Sequence, residues 1–113
     1  MLRLRGNLAL TKYKVIIELS AQRDLQSLLR YITDTLKEPV IAKRTYTSIK
    51  EQILTLNQMP LRNNIVQEQP YAAMGVRKLV VENYIAFYII DEEKREVHIL
   101  RILYNRREWQ NIL

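Results

Sequence analysis

The chain has 113 residues, 48% of them hydrophobic and 27% charged, with a net charge of +6 and no cysteine. That length suits one domain with a core of its own, and the lack of cysteine excludes a disulfide framework or a thiolate metal site. The surplus of lysine and arginine favours nucleic acid or an acidic protein as partner, an argument about association rather than fold. The longest apolar runs fall far short of the roughly 20 residues that span a bilayer. The opening MLRLRGNLAL lacks the apolar core and cleavage site of a signal peptide, so no membrane association is expected and the expected location is cytoplasmic. Residues 1–12 read as a weakly ordered N-terminal extension and 13–113 as the domain.

Tyr13 to Leu19, YKVIIEL, puts Tyr13, Val15, Ile17 and Leu19 on one face at period two and predicts a first strand. Ser20 is the expected N-cap of the helix that follows. From Ala21 to Lys37, Leu25, Leu28, Leu29, Ile32 and Leu36 make one apolar stripe of period 3.6. Pro39 suits the first turn of a second helix, Val40 to Asn57, with Ala42, Tyr46, Ile49, Ile53 and Leu56 as its inward face. So short a connection predicts an antiparallel helical hairpin.

Met59-Pro60 ends that helix. Leu61 to Met74 is a long polar stretch with Pro70 and no period, a loop of the size that often carries function. Val76 to Glu82 and Tyr84 to Ile90 read as strands joined by a tight turn at Glu82-Asn83. Asp91 to Lys94 is a second turn, and Arg95 to Tyr104 the last strand. The predicted class is α+β in the order β-α-α-β-β-β, with the helical hairpin packed on one face of a small, mostly antiparallel four-stranded sheet. The other face is then left available for function.

A single histidine, His98, rules out a multi-histidine metal site, and two distant glycines rule out a phosphate loop. No metal and no cofactor are expected. His98 lies in an apolar strand, where a hydrogen-bonded structural histidine is at least as good a reading as a general base. What remains is the basic and aromatic content of the last strands. Arg77, Lys78, Arg101, Arg106 and Arg107 are the candidate nucleic-acid- or target-binding residues, since cations grip phosphates and aromatic planes stack on unpaired bases. Metal-free RNA cleavage needs only a base, an acid and cations for the developing charge. Lys78, Tyr104 and Arg107 are the catalytic candidates if the protein cuts RNA. Tyr84, Tyr88 and Trp109 read more readily as packing residues.

Three stretches, YKVIIELSAQRDLQSLLRYI, AAMGVRKLVVENYIAFYIID and VHILRILYNRREWQNIL, resemble the RelE/ParE superfamily of bacterial toxins, in the right order from about Tyr13 to Leu113. The resemblance implies the same β-α-α-β-β-β order and a growth-arresting toxin of a type II toxin–antitoxin (addiction) module. It also implies a cognate antitoxin, whose acidic segment is expected to cross the basic surface. ParE-like members poison DNA gyrase; RelE-like members cut translated messenger RNA on the ribosome without metal. Lys78 and Arg107 match basic positions of the nuclease branch. Ile85, however, stands where nuclease members usually carry an arginine after the hairpin turn. The C-terminal tyrosine of some members is absent, the chain ending Asn111-Ile112-Leu113. The IAFY run and the RILYNRREW ending look closer to the ParE-like group. Beside a gyrase-directed toxin, the alternatives are a ribosome-dependent mRNA endonuclease and a non-toxic basic binding protein.

Overall fold

The structure is a computed structural model and describes residues 12–105 and 109–113. The expected N-terminal extension lies almost wholly outside the described residues, as do Arg106 and Arg107. Strand β1 (Lys14–Ile17) leads into helix α1 (Leu19–Arg30), which widens into a π-helical turn at Tyr31–Thr35. Helix α2 (Pro39–Leu54) follows, with Pro39 in its first turn as expected. After the long loop come β2 (Arg77–Val81), β3 (Tyr84–Asp91), β4 (Glu96–Tyr104) and a short helix α3 (Trp109–Ile112). The strands form one sheet in the order β1-β4-β3-β2, with β1 parallel to β4 and the other pairs antiparallel. The predicted α+β class and element order hold.

The helices cover one face. Ala21 of α1 and Ile49 and Ile53 of α2 pack on Leu79, Ala86, Tyr88, Val97, Ile99 and Ile102 of the sheet. Three local expectations need correction. Helix α1 starts at Leu19, so Ser20 lies inside it; Glu18 holds the cap position and makes no side-chain cap hydrogen bond, its carboxylate going to His98 instead. Leu36 is half exposed because the chain switches to π spacing, with the Leu36 N–H donating to the Tyr31 carbonyl at 3.1 Å. The wider turn rotates positions beyond Ile32 off the stripe set by period 3.6. Tyr46 is exposed, while Thr45 is buried in its place.

The second face is not left open. Val66 and Tyr71 of the long loop and Trp109 and Leu113 at the C-terminus pack over Val76, Ile85, Phe87 and Leu103. The Phe87 and Trp109 rings lie 4.6 Å apart between centroids, and the Tyr71 ring stands 6.2 Å from that of Trp109. The loop is pinned to the edge of β2 by an Ile65–Arg77 bridge and by the Val66 N–H, which donates to the Val76 carbonyl at 2.8 Å. Strand β3 is the reason. Its continuous YIAFYII run is apolar on both faces, so both must be covered. Much of the loop expected to carry function therefore serves as a lid on this second core.

Candidate partner groove beside the last strand

Strand β1 pairs only with Glu96 to Ile99, while β4 continues to Tyr104, so the edge of β4 beyond Ile99 is open to α1. The register against β3 shifts there, Tyr88 facing Ile99 but Phe87 facing Arg101, which makes Leu100 an inserted residue. Asp24 of α1 meets the bulge. Its Oδ2 accepts hydrogen bonds from the Arg101 Nε–H at 2.7 Å and the Ile102 backbone N–H at 3.0 Å, and its Oδ1 accepts from Arg101 Nη2 at 2.9 Å. The carboxylate thus holds the guanidinium by both prongs and also satisfies the first open strand amide, as a neighbouring strand would. These hydrogen bonds raise the Arg101 pKa further, with burial opposing them. Arg101 Nη1 also donates to the Ile112 carbonyl at 3.2 Å, tying α3 to the same point.

Beyond this lock lies a groove of about 760 Å³. Leu28 and Tyr31 form the α1 side, Tyr84, Ile102 and Tyr104 the sheet side, and Asn83 of the β2–β3 turn closes one end. The Tyr84 and Tyr104 rings meet edge to face at 5.8 Å. Burial is the main cause of a raised Tyr84 pKa, so the phenol stays neutral near pH 7. An apolar trough rimmed by phenols, a serine and an asparagine suits the apolar face of a polypeptide segment rather than a charged small molecule.

The residues singled out by sequence are dispersed. Arg77 and Lys78 point to opposite faces of β2, as strand alternation requires. Arg77 faces the helices, its Nη1 donating to the Asn63 carbonyl at 2.6 Å beside Tyr88. Lys78 is exposed and pairs in register with Phe87, on the face covered by Trp109. Tyr104 pairs with Tyr84 on the helix face, so Lys78 and Tyr104 do not share a site. Arg101, a candidate target-binding residue, is engaged by Asp24. Arg106 and Arg107, the remaining candidates, lie outside the described residues. Tyr88 and Trp109 are packing residues as expected; the buried Tyr88 hydroxyl donates to the Pro60 carbonyl at 2.6 Å.

Asp24 was missed by the sequence reading. The available signal was its place between Ala21 and Leu28 on the inward side of α1, where a carboxylate needs a partner. Glu18 and Glu96 were missed likewise. His98 Nδ1 lies 2.6 Å from a Glu18 carboxylate oxygen and Nε2 lies 2.9 Å from one of Glu96. The Glu18 hydrogen bond is the main cause of a raised His98 pKa; burial opposes it and Glu96 adds to it. With both ring nitrogens held, His98 acts as a clasp between the β1–α1 junction and β4, the structural role weighed for it.

Solved structures that share this fold include chains from toxin–antitoxin systems. One chain of the chromosomal ParDE system from P. aeruginosa superposes with a TM-score of 0.71 at 22% identity, covering 85% of this chain and 99% of that one. A chain of the RelBE2 toxin–antitoxin complex from Mycobacterium tuberculosis gives 0.61 at 25% identity, covering 83% and 99%. The isolated E. coli RelE toxin gives 0.55 at 14%, covering 88% and 93%. The fold is therefore that of the RelE/ParE toxins. Residues 15–109 match the family described as the ParE toxin of the type II toxin–antitoxin system parDE, and the chain belongs to that family. No curated protein matches it significantly. Among the described residues no helix is long and apolar enough to cross a membrane, and no cluster of side chains suits a metal ion.

Proposed function

We propose that this ParE-family chain arrests growth by acting on DNA gyrase rather than by cutting messenger RNA, and that a cognate antitoxin restrains it by filling the groove beside β4. One observation carries the choice of target. Ile85, only 1% exposed, lies within the second core beside Val76, Phe87 and Trp109. That position is where the resemblance to nuclease members would place an arginine. Among the described residues, the aliphatic and aromatic side chains packed around Ile85 offer no charge to stabilise a phosphorane-like transition state. Lys78 stands at its rim, and Tyr104, the other described catalytic candidate, is on the opposite face.

The antitoxin reading rests on the groove and on charge. An apolar segment can bury itself against Leu28, Tyr31 and Ile102, while acidic residues beside it are drawn to a chain of net charge +6. Association should then slow as salt is raised.

The test is to induce the protein and follow messenger RNA 5′ ends, plasmid supercoiling and DNA breaks together. Altered supercoiling or broken DNA with intact messages is the expected result. In-frame cuts in translated messages with normal DNA topology would overturn the gyrase reading in favour of the endonuclease. Arg107→Ala, which should then abolish cutting, separates the two further. A chain with neither effect is the non-toxic binding protein.

A further inference from the structure

The end of the helical hairpin carries an apolar surface that extends beyond the groove. Tyr31 and Leu36 are half exposed, Val40 is 76% exposed and Ile41 is also open to solvent. These four lie on one bend of the chain, from the π-helical turn into the first turn of α2. Isolated exposed aliphatics are ordinary, but four exposed apolar side chains within eleven residues of one bend suit an interaction surface. Lys37, Lys43 and Arg44 flank it in the chain and outnumber the two carboxylates of the same bend, Asp34 and Glu38, and none of the three cations makes an ion pair among the described residues. Val40, Lys43 and Arg44 stand at i, i+3 and i+4 on one face of α2, and an apolar side chain beside two cations that no carboxylate holds complements an acidic rim around an apolar recess.

We infer that the hairpin tip is the surface that engages the toxin's cellular target, and that the target presents an acidic protein surface with an apolar recess. The inference rests on the toxin reading above but not on gyrase in particular. It also explains how an antitoxin restrains the toxin. Tyr31 and Leu36 belong to the tip and also line the groove, so a segment seated in the groove covers half of the apolar tip. Target and antitoxin then compete for two shared side chains, while Val40, Lys43 and Arg44 are left to the target alone.

Two variants of exposed residues test this, Val40→Asn and Lys43→Glu/Arg44→Glu, each checked for folding by circular dichroism. The readouts are growth arrest on induction and affinity for the cognate antitoxin. Both variants should weaken arrest at least tenfold and change antitoxin affinity less than threefold. Full arrest by either variant would overturn the inference. If Val40→Asn were silent while the charge reversal abolished arrest, the contact would be with a polyanion such as RNA. Loss of antitoxin binding in parallel with arrest would make the tip part of the antitoxin interface instead. A concentration-dependent mass of the parent chain, abolished by Val40→Asn, would assign the surface to a second copy. Plasmid topology, followed in the same cultures, keeps the target's identity separate. Normal supercoiling during an arrest that the tip variants relieve would defeat the gyrase reading and leave this one standing.

Discussion

Asp24 grips Arg101 with two hydrogen bonds, 2.7 and 2.9 Å long, and with the same carboxylate accepts the Ile102 amide at 3.0 Å. One side chain therefore neutralises a strand arginine, ends the sheet where β1 stops and sets the floor of the groove. Both partners are mostly shielded from water, at 26% and 14% side-chain exposure. Removing the carboxylate would leave a half-buried guanidinium and an open strand amide without their acceptor.

Asp24→Ala should accordingly destabilise the fold by about 2–3 kcal/mol, the range for losing charge-assisted hydrogen bonds in a partly buried setting. Asp24→Asn, which keeps an acceptor for the Ile102 amide, should cost less. Urea unfolding followed by fluorescence of Trp109, the sole tryptophan, measures both. A loss under 0.5 kcal/mol for alanine would show the pair to be energetically idle.

His98 makes stability pH-dependent. Its folded pKa is raised above the ordinary 6.5 by the Glu18 hydrogen bond first, with Glu96 adding to it. Between the unfolded and folded values the native state binds more protons than the unfolded chain, so stability falls as pH rises through that window. The contribution is fully present below about pH 6.5 and lost above the folded pKa, at about 1.4 kcal/mol for each unit separating the two. His98→Gln should flatten the unfolding free energy across this range. A profile that rose with pH between 6 and 8 in the parent, and was unaltered in the variant, would contradict the clasp.

Glu82 turns the β2–β3 hairpin with a φ of 55°, a left-handed conformation unfavourable for a residue with a Cβ. Glu82→Gly relieves that strain at some cost in unfolded-chain entropy. A net gain of about 0.5–1 kcal/mol is expected, read as a higher midpoint of thermal unfolding. An unchanged or lower midpoint would mean that Glu82 makes compensating contacts.

Ile85→Arg restores the residue type that the nuclease resemblance calls for. In this fold it would force a charge into the apolar cluster of Val66, Val76, Phe87 and Trp109, and should cost more than about 3 kcal/mol. A folded, RNA-cutting variant would show that the second core yields easily and would reopen the nuclease reading.

The amino-acid pattern by itself determined the element types, their order and most of the first core. Alternation at period two and stripes at period 3.6 follow from local backbone geometry, and Val15, Leu28, Ile49 and Ile53 could be placed from spacing alone. It also carried the family, because three stretches keep their order along the chain. What only the tertiary structure decided is where the charged residues go. Lys78 and Tyr104 part to opposite faces, Arg101 turns to Asp24 and His98 is held between two carboxylates, Glu18 coming from the far side of the helical hairpin in sequence. A one-residue insertion at Leu100 changes which side of β4 each later residue faces, and no period in the sequence marks it. The second core was decided in the same way. Periodicity reports that β3 is apolar on both faces, but whether solvent, a partner or the chain's own loop covers the second face depends on contacts between residues far apart in sequence.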